Sequence, residues 1–345
     1  MRASTSYLKC MSDTPAFLDQ DRPPVPQIVV PRGVTPFFLP GRPVRGRLVR
    51  LGMLADALLT RHASDPQVTR LSGQALALVA GLASGLKFQG SFSLHAKGDG
   101  PVPMLLADCT DTGELRGYSR VDADRLAGVL KATRSPAANA LLGDGYLAFS
   151  VDQGPDRERH QGIVSITGGS LAEMALHYFE TSEQLRCHVH LACAQTASGW
   201  RAGALILERV AGDGGIDPTS DPEEQEEAWR TALVLAGTLT DAELLDDDLS
   251  SDDLLYRLFH SEGVATDLSR ALSYGCRCSR AKLAGILETF PMDDLDHMAL
   301  EGDIIMTCEF CNYDFRFPRQ AVHGKQDTGA IEGGAIEGGV IKGDA

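Results

Sequence analysis

Hydrophobic positions recur along this chain with two different periods. Short runs that alternate or stay apolar at 90–97, 102–108, 115–121, 145–151, 162–166, 186–192 and 201–209 predict β-strands, and apolar residues spaced by three and four at 54–62, 66–86, 122–133 and 170–179 predict helices. Several of the strands follow one another with no helix between them, as across the Gly-Asp-Gly-Pro turn at 98–101. Antiparallel hairpins, not βαβ units, therefore organise the sheets, and residues 34–212 read as an α+β domain of mixed helices and largely antiparallel strands.

The helical period returns beyond that domain in a different chemical setting. Asp221 caps a helix with Pro222 at its first position, Thr240 and Glu243 form a capping box, and Ser250 opens a third helix. Trp229 and Leu233 fall on one face of the first helix, and Leu254, Leu258 and Phe259 make a stripe on the last. Helices this short are marginal alone, so these five residues are expected to dock on the N-terminal domain. Residues 213–265 thus read as a helical linker. Charge marks the same boundary: 213–262 hold 15 Asp/Glu against 2 Lys/Arg, whereas 1–212 hold 19 against 22. A chain of net charge −15 with its acid so concentrated is a poor partner for nucleic acid.

Residues 266–320 read as a small module built around cysteine. Cys276 and Cys278 form a Cys-x-Cys pair, and Cys308 and Cys311 a Cys-x-x-Cys pair, with residues 279–307 between them. Strand patterns at 303–307 and 313–317 place the second pair in a hairpin knuckle, and Ser279 caps a helix that Pro291 ends. Four thiolates match the closed tetrahedral shell of structural zinc, which leaves no position for a substrate. So small an apolar set cannot fold the module alone; zinc supplies roughly 10–16 kcal/mol in such cases. Zinc thiolates are also the form that peroxide attacks, and each has a neighbour able to resolve a sulfenic acid into a disulfide.

The motifs Cys276-Arg277-Cys278-Ser279-Arg280 and Met306-Thr307-Cys308-Glu309-Phe310-Cys311-Asn312 resemble the zinc centre of the heat shock protein 33 family, the redox-regulated holdase chaperones of bacteria. Further resemblance runs in order through RGRLVRLG (45–52), LKFQG (86–90), DQGP (152–155), QGIV (161–164), YFETSEQ (178–184), WRAG (200–203) and LLYRLFH (254–260), covering 34–317. The resemblance implies a non-enzymatic, ATP-independent chaperone that binds unfolded client proteins under oxidative and heat stress. It implies one zinc per chain held by Cys276, Cys278, Cys308 and Cys311 in the reduced state, with a monomer when reduced and a homodimer when oxidised. Local resolution of neighbouring thiols would pair Cys276 with Cys278 and Cys308 with Cys311.

Two alternatives stand beside this reading: a zinc-clasped adaptor, or a thiol-disulfide oxidoreductase, whose Cys-x-x-Cys would usually open a helix in a βαβ setting. No apolar run is long enough for a membrane span and no leader pattern is present, so a cytoplasmic protein is expected. Cys187, His188, His190 and Cys193 resemble a second metal cluster, but on a strand the cysteines face one way and the histidines the other. His160 near Asp152, Asp156 and Glu158 reads as a polar loop, and Gly98, Gly100, Gly168 and Gly169 as turns. Residues 1–33, with five prolines, read as a disordered extension, and 321–345, with a GAIEG-like repeat, as a disordered Gly-rich tail.

Overall fold

A computed structural model of the chain describes residues 26–154, 160–210 and 221–323. The extension at 1–25, the segments 155–159 and 211–220 and the tail from 324 lie outside the described residues. The fold is α+β and forms two compact units: residues 26–277 together with 309–312, and residues 278–308 together with 313–323.

The larger unit is built on one mixed sheet. Its strands are β1 (Val29–Phe38), β2 (Val44–Arg50), β3 (Ser91–Gly98), β4 (Met104–Thr110), β5 (Glu114–Arg120), β6 (Gly145–Asp152), β7 (His160–Ser165), β8 (Cys187–Thr196), β9 (Gly199–Arg209), β10 (Ala265–Thr266) and β11 (Arg270–Tyr274). The order is β7-β6-β3-β4-β5-β11-β1-β2-β9-β8, with β10 paired to β1. Every pairing is antiparallel except that of β11 with β5. Helix α1 (Met53–Leu59) leads to α2 (Pro66–Gly85), which Asp65 caps by accepting from Gln67 N and Pro66 enters at its first position. α2 buries Val68, Leu71, Leu76, Leu78 and Val79 in the core. Helices α3 (Ala123–Ala132), α4 (Ala138–Leu142) and α5 (Leu171–Tyr178) complete this part.

Two boundaries expected from the sequence move. The extension expected at 1–33 gives way to β1 at Val29; Pro31 sits where the β1–β11 register shifts between Val30 and Val34, an irregularity that tolerates a residue without an N–H. The small module expected from 266 begins later, because β11 lies inside the large sheet. Five residues carry too little alternation to announce a strand whose hydrogen-bonding neighbours, β1 and β5, are over 150 residues away in sequence.

The acidic segment forms α6 (Pro222–Ala236), α7 (Asp241–Leu244) and α8 (Ser251–Phe259), with Asp221, Thr240 and Ser250 as their caps. Trp229, Leu254, Leu258 and Phe259 are buried in one cluster with Phe37, Val44, Leu48, Leu205 and Leu207 of the sheet and Leu39 of the β1–β2 turn, and Leu233 packs partly buried against it. The Phe37 and Phe259 rings stack at 5.4 Å. Gly46 makes this possible, since a Cβ there would overlap the Phe37 ring. Above the apolar contact, Arg50 donates to four backbone carbonyls of the segment: Glu243 O (3.1 Å), Leu244 O (3.0 Å), Asp246 O and Leu249 O. Ion pairs surround it, Arg186 and Arg209 with Glu226, Arg201 with Asp247, Arg32 with Asp252 and Arg42 with Glu262, and His190 Nε2 is hydrogen-bonded to Asp241 at 2.8 Å.

In the smaller unit α9 (Arg280–Leu287) is followed by α10 (Met292–Met298) and a three-stranded antiparallel sheet of β12 (Ala299–Leu300), β13 (Asp303–Thr307) and β14 (Asp314–Pro318). Leu287, Leu295, Ile304, Phe315, Phe317 and Val322 are buried in it, and the Arg280 guanidinium covers the Phe317 ring at 4.6 Å.

These contacts predict how the acidic helices come loose. The hydrogen bond from Arg186 and the charges of Arg186, Arg209 and Arg230 hold Glu226 down from an ordinary 4.5 to about 2 against burial. Hydrogen bonds from Arg32 to Asp252 and from Thr240 to Glu243 lower those carboxyls too. Carboxyls depressed in the folded state stabilise it fully above their unfolded values and cease to do so as pH falls. Protection factors of residues 222–259, that is exchange corrected for the pH dependence of the free amide rate, should therefore fall between pH 4.5 and pH 2 before those of α2 do. Arg50→Met should raise exchange in the same residues at neutral pH, at a cost of roughly 2 kcal/mol for the lost charge-assisted bonds.

Candidate metal centre

Each cysteine of the C-terminal set is placed by backbone structure. Cys276 follows β11 by two residues. Gly275 N donates to Leu115 O at 2.8 Å, and a Cβ at Gly275 would meet the Glu114 carbonyl carbon at 2.6 Å, so glycine lets the chain leave β11 flush against β5. Cys278 precedes Ser279, whose hydroxyl accepts from Lys282 N at 3.1 Å to cap α9. Cys308 N donates to Tyr313 O at 2.9 Å, and Asn312, at a φ of 53°, closes the Cys308–Cys311 knuckle in the left-handed region where Asn is tolerated.

The four Sγ atoms lie within 4.8 Å of one another, and Cys276, Cys308 and Cys311 are buried. Among the described residues this is the one group of three or more His, Cys, Asp or Glu side chains that can hold a metal ion. With a tetrahedral metal–sulfur distance of about 2.3 Å, sulfurs stand about 3.8 Å apart, so the arrangement fits a single ion with little rearrangement.

Neighbouring residues fix the ligands' surroundings. Arg277, between the first two cysteines, donates to the carboxylate of buried Asp108 on β4, which also accepts from Arg116 Nε at 3.0 Å. Glu309 accepts from Arg120 at 2.5 and 2.9 Å, and Asn312 Nδ2 donates to Arg61 O at 3.1 Å. Arg116, Tyr118 and Arg120 alternate along β5 and so share a face; that much was readable in the sequence, but nothing there named the loop that meets them. Arg50 likewise stands in the sequence only as one residue of the RGRLVRLG run.

The other cysteines stand apart. Burial pushes the thiols of Cys109, Cys187 and Cys193 up to about 12. On β8, His190 meets Asp241 at 2.8 Å, burial holds His188 below its ordinary value, and Cys193 packs against Gly73. His160 starts β7, while Asp156 and Glu158 lie outside the described residues. Gly168 turns at a φ of 90° and Gly169 N donates to Glu173 at 2.7 Å, as turns do. Among the described residues no helix is long and apolar enough to cross a membrane.

The protein is of a class in which an α+β core carries docked acidic helices and the chain beyond them brings together four cysteines, a donor set able to fill a tetrahedral metal shell. The family model described as "Hsp33 protein" matches residues 33–318, and the chain belongs to that family, by which it is a chaperone. The 33 kDa chaperonin of Caulobacter vibrioides (strain NA1000 / CB15N) is 39% identical over 284 residues, 81% of this chain and 92% of that protein. The 33 kDa chaperonin of Pseudomonas fluorescens (strain SBW25) is 34% identical over 283 residues, 81% and 89% respectively. The fold is shared with the crystal structure of the 33 kDa chaperonin (heat shock protein 33 homolog) from Thermotoga maritima, at a TM-score of 0.67 and 22% identity over 84% of this chain and 96% of that one.

The thiol environments predict a sharp difference in reactivity. Once a chelator has stripped any metal and left the smaller unit with too little burial to stay folded, an alkylating reagent at pH 7 should label Cys276, Cys278, Cys308 and Cys311 while leaving Cys109, Cys187 and Cys193 unmodified until the core unfolds. Mass mapping of the labelled cysteines checks this.

Proposed function

We propose that the protein is a redox-switched, ATP-independent holdase. In the reduced state Cys276, Cys278, Cys308 and Cys311 hold one zinc ion as thiolates, and the acidic helices of the linker, 213–265, stay docked through Trp229, Leu233, Leu254, Leu258 and Phe259. Zinc, when bound, supplies cross-linking of the four ligand segments and no catalysis. The observation that carries the reading is the convergence of four thiols, three of them buried, at the end of the very segment that leaves the docked helices.

Oxidation reverses this by balanced chemistry. One peroxide takes two electrons from a thiolate to give a sulfenic acid and hydroxide; the neighbouring thiolate attacks the sulfenic sulfur, displaces a second hydroxide and forms the disulfide, with zinc leaving as the free dication. Two peroxides thus convert four thiolates into the Cys276–Cys278 and Cys308–Cys311 disulfides and remove every zinc ligand. Folding free energy of roughly 10–16 kcal/mol linked to the metal leaves with it, about as much as holds a whole domain. The linker then undocks, and the apolar face at Phe37, Leu48 and Leu205 becomes available to unfolded client proteins. The oxidised form is a homodimer and the reduced form a monomer, working in the cytoplasm and without nucleic acid.

Peroxide should release one zinc per chain and create suppression of client aggregation together. Zinc release with no gain of activity, or activity with zinc retained, overturns the reading. Cys308→Ser with Cys311→Ser should leave no stoichiometric zinc in the purified protein, whereas Cys109→Ser, Cys187→Ser and Cys193→Ser should each retain it, by metal analysis. Leu254→Asp with Leu258→Asp should partly activate the reduced, zinc-loaded protein, because burying two carboxylates costs several kcal/mol. An inactive variant whose linker is shown by exchange to be undocked would refute the lid.

A further inference from the structure

The two residues between Cys308 and Cys311 need only close a chelate, and any small polar pair would do so. Here they are a carboxylate followed by an aromatic ring, both seated on β5 within the larger unit. The Phe310 ring meets Tyr118 edge to face, centroids 5.0 Å apart at 87°, and lies beneath the Arg116 guanidinium at 4.1 Å. Glu309 forms a forked contact with Arg120. Tyr118 is positioned in turn by its hydroxyl, 3.2 Å from Met104 Sδ, and Arg116 by Asp108. One face of a strand thus presents an aromatic wall, a cation over the ring position and a second cation for the preceding carboxylate.

We propose that this face of β5 is a peptide-binding subsite for a carboxylate side chain followed directly by an aromatic one, and that Glu309-Phe310 occupies it in cis as an internal pseudo-ligand. The proposal rests on the holdase reading for its partner, an unfolded client, and deepens it by naming the client chemistry. While the metal holds the knuckle closed, effective concentration keeps the internal pair in place against any external peptide. Once the knuckle opens, Arg116, Tyr118 and Arg120 are freed for an acidic-aromatic pair of a client.

The test uses the full chain and three fluorescent peptides in which Glu-Phe, Lys-Phe or Glu-Ala is flanked by Gly-Ser. In the reduced, metal-loaded state, E309A/F310A should bind the Glu-Phe peptide at least about tenfold more tightly than the unsubstituted protein by fluorescence anisotropy, because the competitor is gone. Lys-Phe and Glu-Ala should gain less, and adding Y118A/R120A should remove the gain. No gain in a variant that keeps its metal, or an equal gain for all three peptides, overturns the subsite and leaves the contact as packing alone. If E309A/F310A does not hold metal, chelator-stripped R120E decides: it should prefer Lys-Phe, and an unchanged preference for Glu-Phe overturns the proposal. No arm uses an oxidant, so failure of the subsite and failure of the redox switch are separable.

Discussion

Strand β11 sits in the middle of the large sheet, between β5 and β1, yet it comes after the acidic helices in the chain. Residues 221–262 must therefore cross the sheet before its centre can close. That constraint ties three parts of the molecule together. The sheet is complete only when the acidic segment has been laid down, the segment is anchored at both ends by strands β9 and β10, and Cys276 stands two residues beyond the strand that finishes the sheet. Chemistry at the thiols is thus placed as near as the chain allows to a central structural element.

The acidic segment is held by two kinds of force with different sensitivities. Its apolar stripe buries Trp229, Leu254, Leu258 and Phe259, each worth roughly 1.5–3 kcal/mol and not weakened by charge screening. Its carboxylates meet arginines at the rim, where exposed pairs contribute little and screening weakens them further. Arg50 differs from both: its donors go to backbone carbonyls at the end of α7 and in the connection to α8, and the carboxylates of Asp246 and Asp247 favour its charge against burial, so it reads the path of the chain as well as its charge. A segment with so many like charges would repel itself; guanidinium groups among its carbonyls, that of Arg50 on four of them and that of Arg257 on Thr238 O, over an apolar floor, explain why it has a defined course.

The cysteine cluster has a different logic. The smaller unit buries only a handful of large apolar side chains, and a domain of that size lacks the surface to stay folded by burial alone. Four thiols within 4.8 Å of one another are a natural remedy, and family membership agrees with a chaperone built on this plan. Cys109, Cys187 and Cys193, kept protonated by burial, mark the contrast between cysteines used as small apolar residues and cysteines gathered for chemistry.

Local pattern was enough to read most strands and helices of the core, the caps Asp221, Thr240, Ser250 and Ser279, the apolar stripe of the acidic helices and the two cysteine pairs, because each rests on residues close together in sequence. Strands β1, β2 and β11 were not readable: Pro31 argues against the first, Arg45, Arg47 and Arg50 interrupt the apolar pattern of the second, and the third is five residues long with both partners remote. Cys-x-Cys and Cys-x-x-Cys spacing announces two chelating pairs; that they meet depends on β11 delivering Cys276 beside the knuckle. The roles of Arg50 and of Phe310 against Tyr118 were decided only by the tertiary structure. A guanidinium that binds carbonyls, or a ring that lies under a distant arginine, leaves no periodic trace in the chain that contains it.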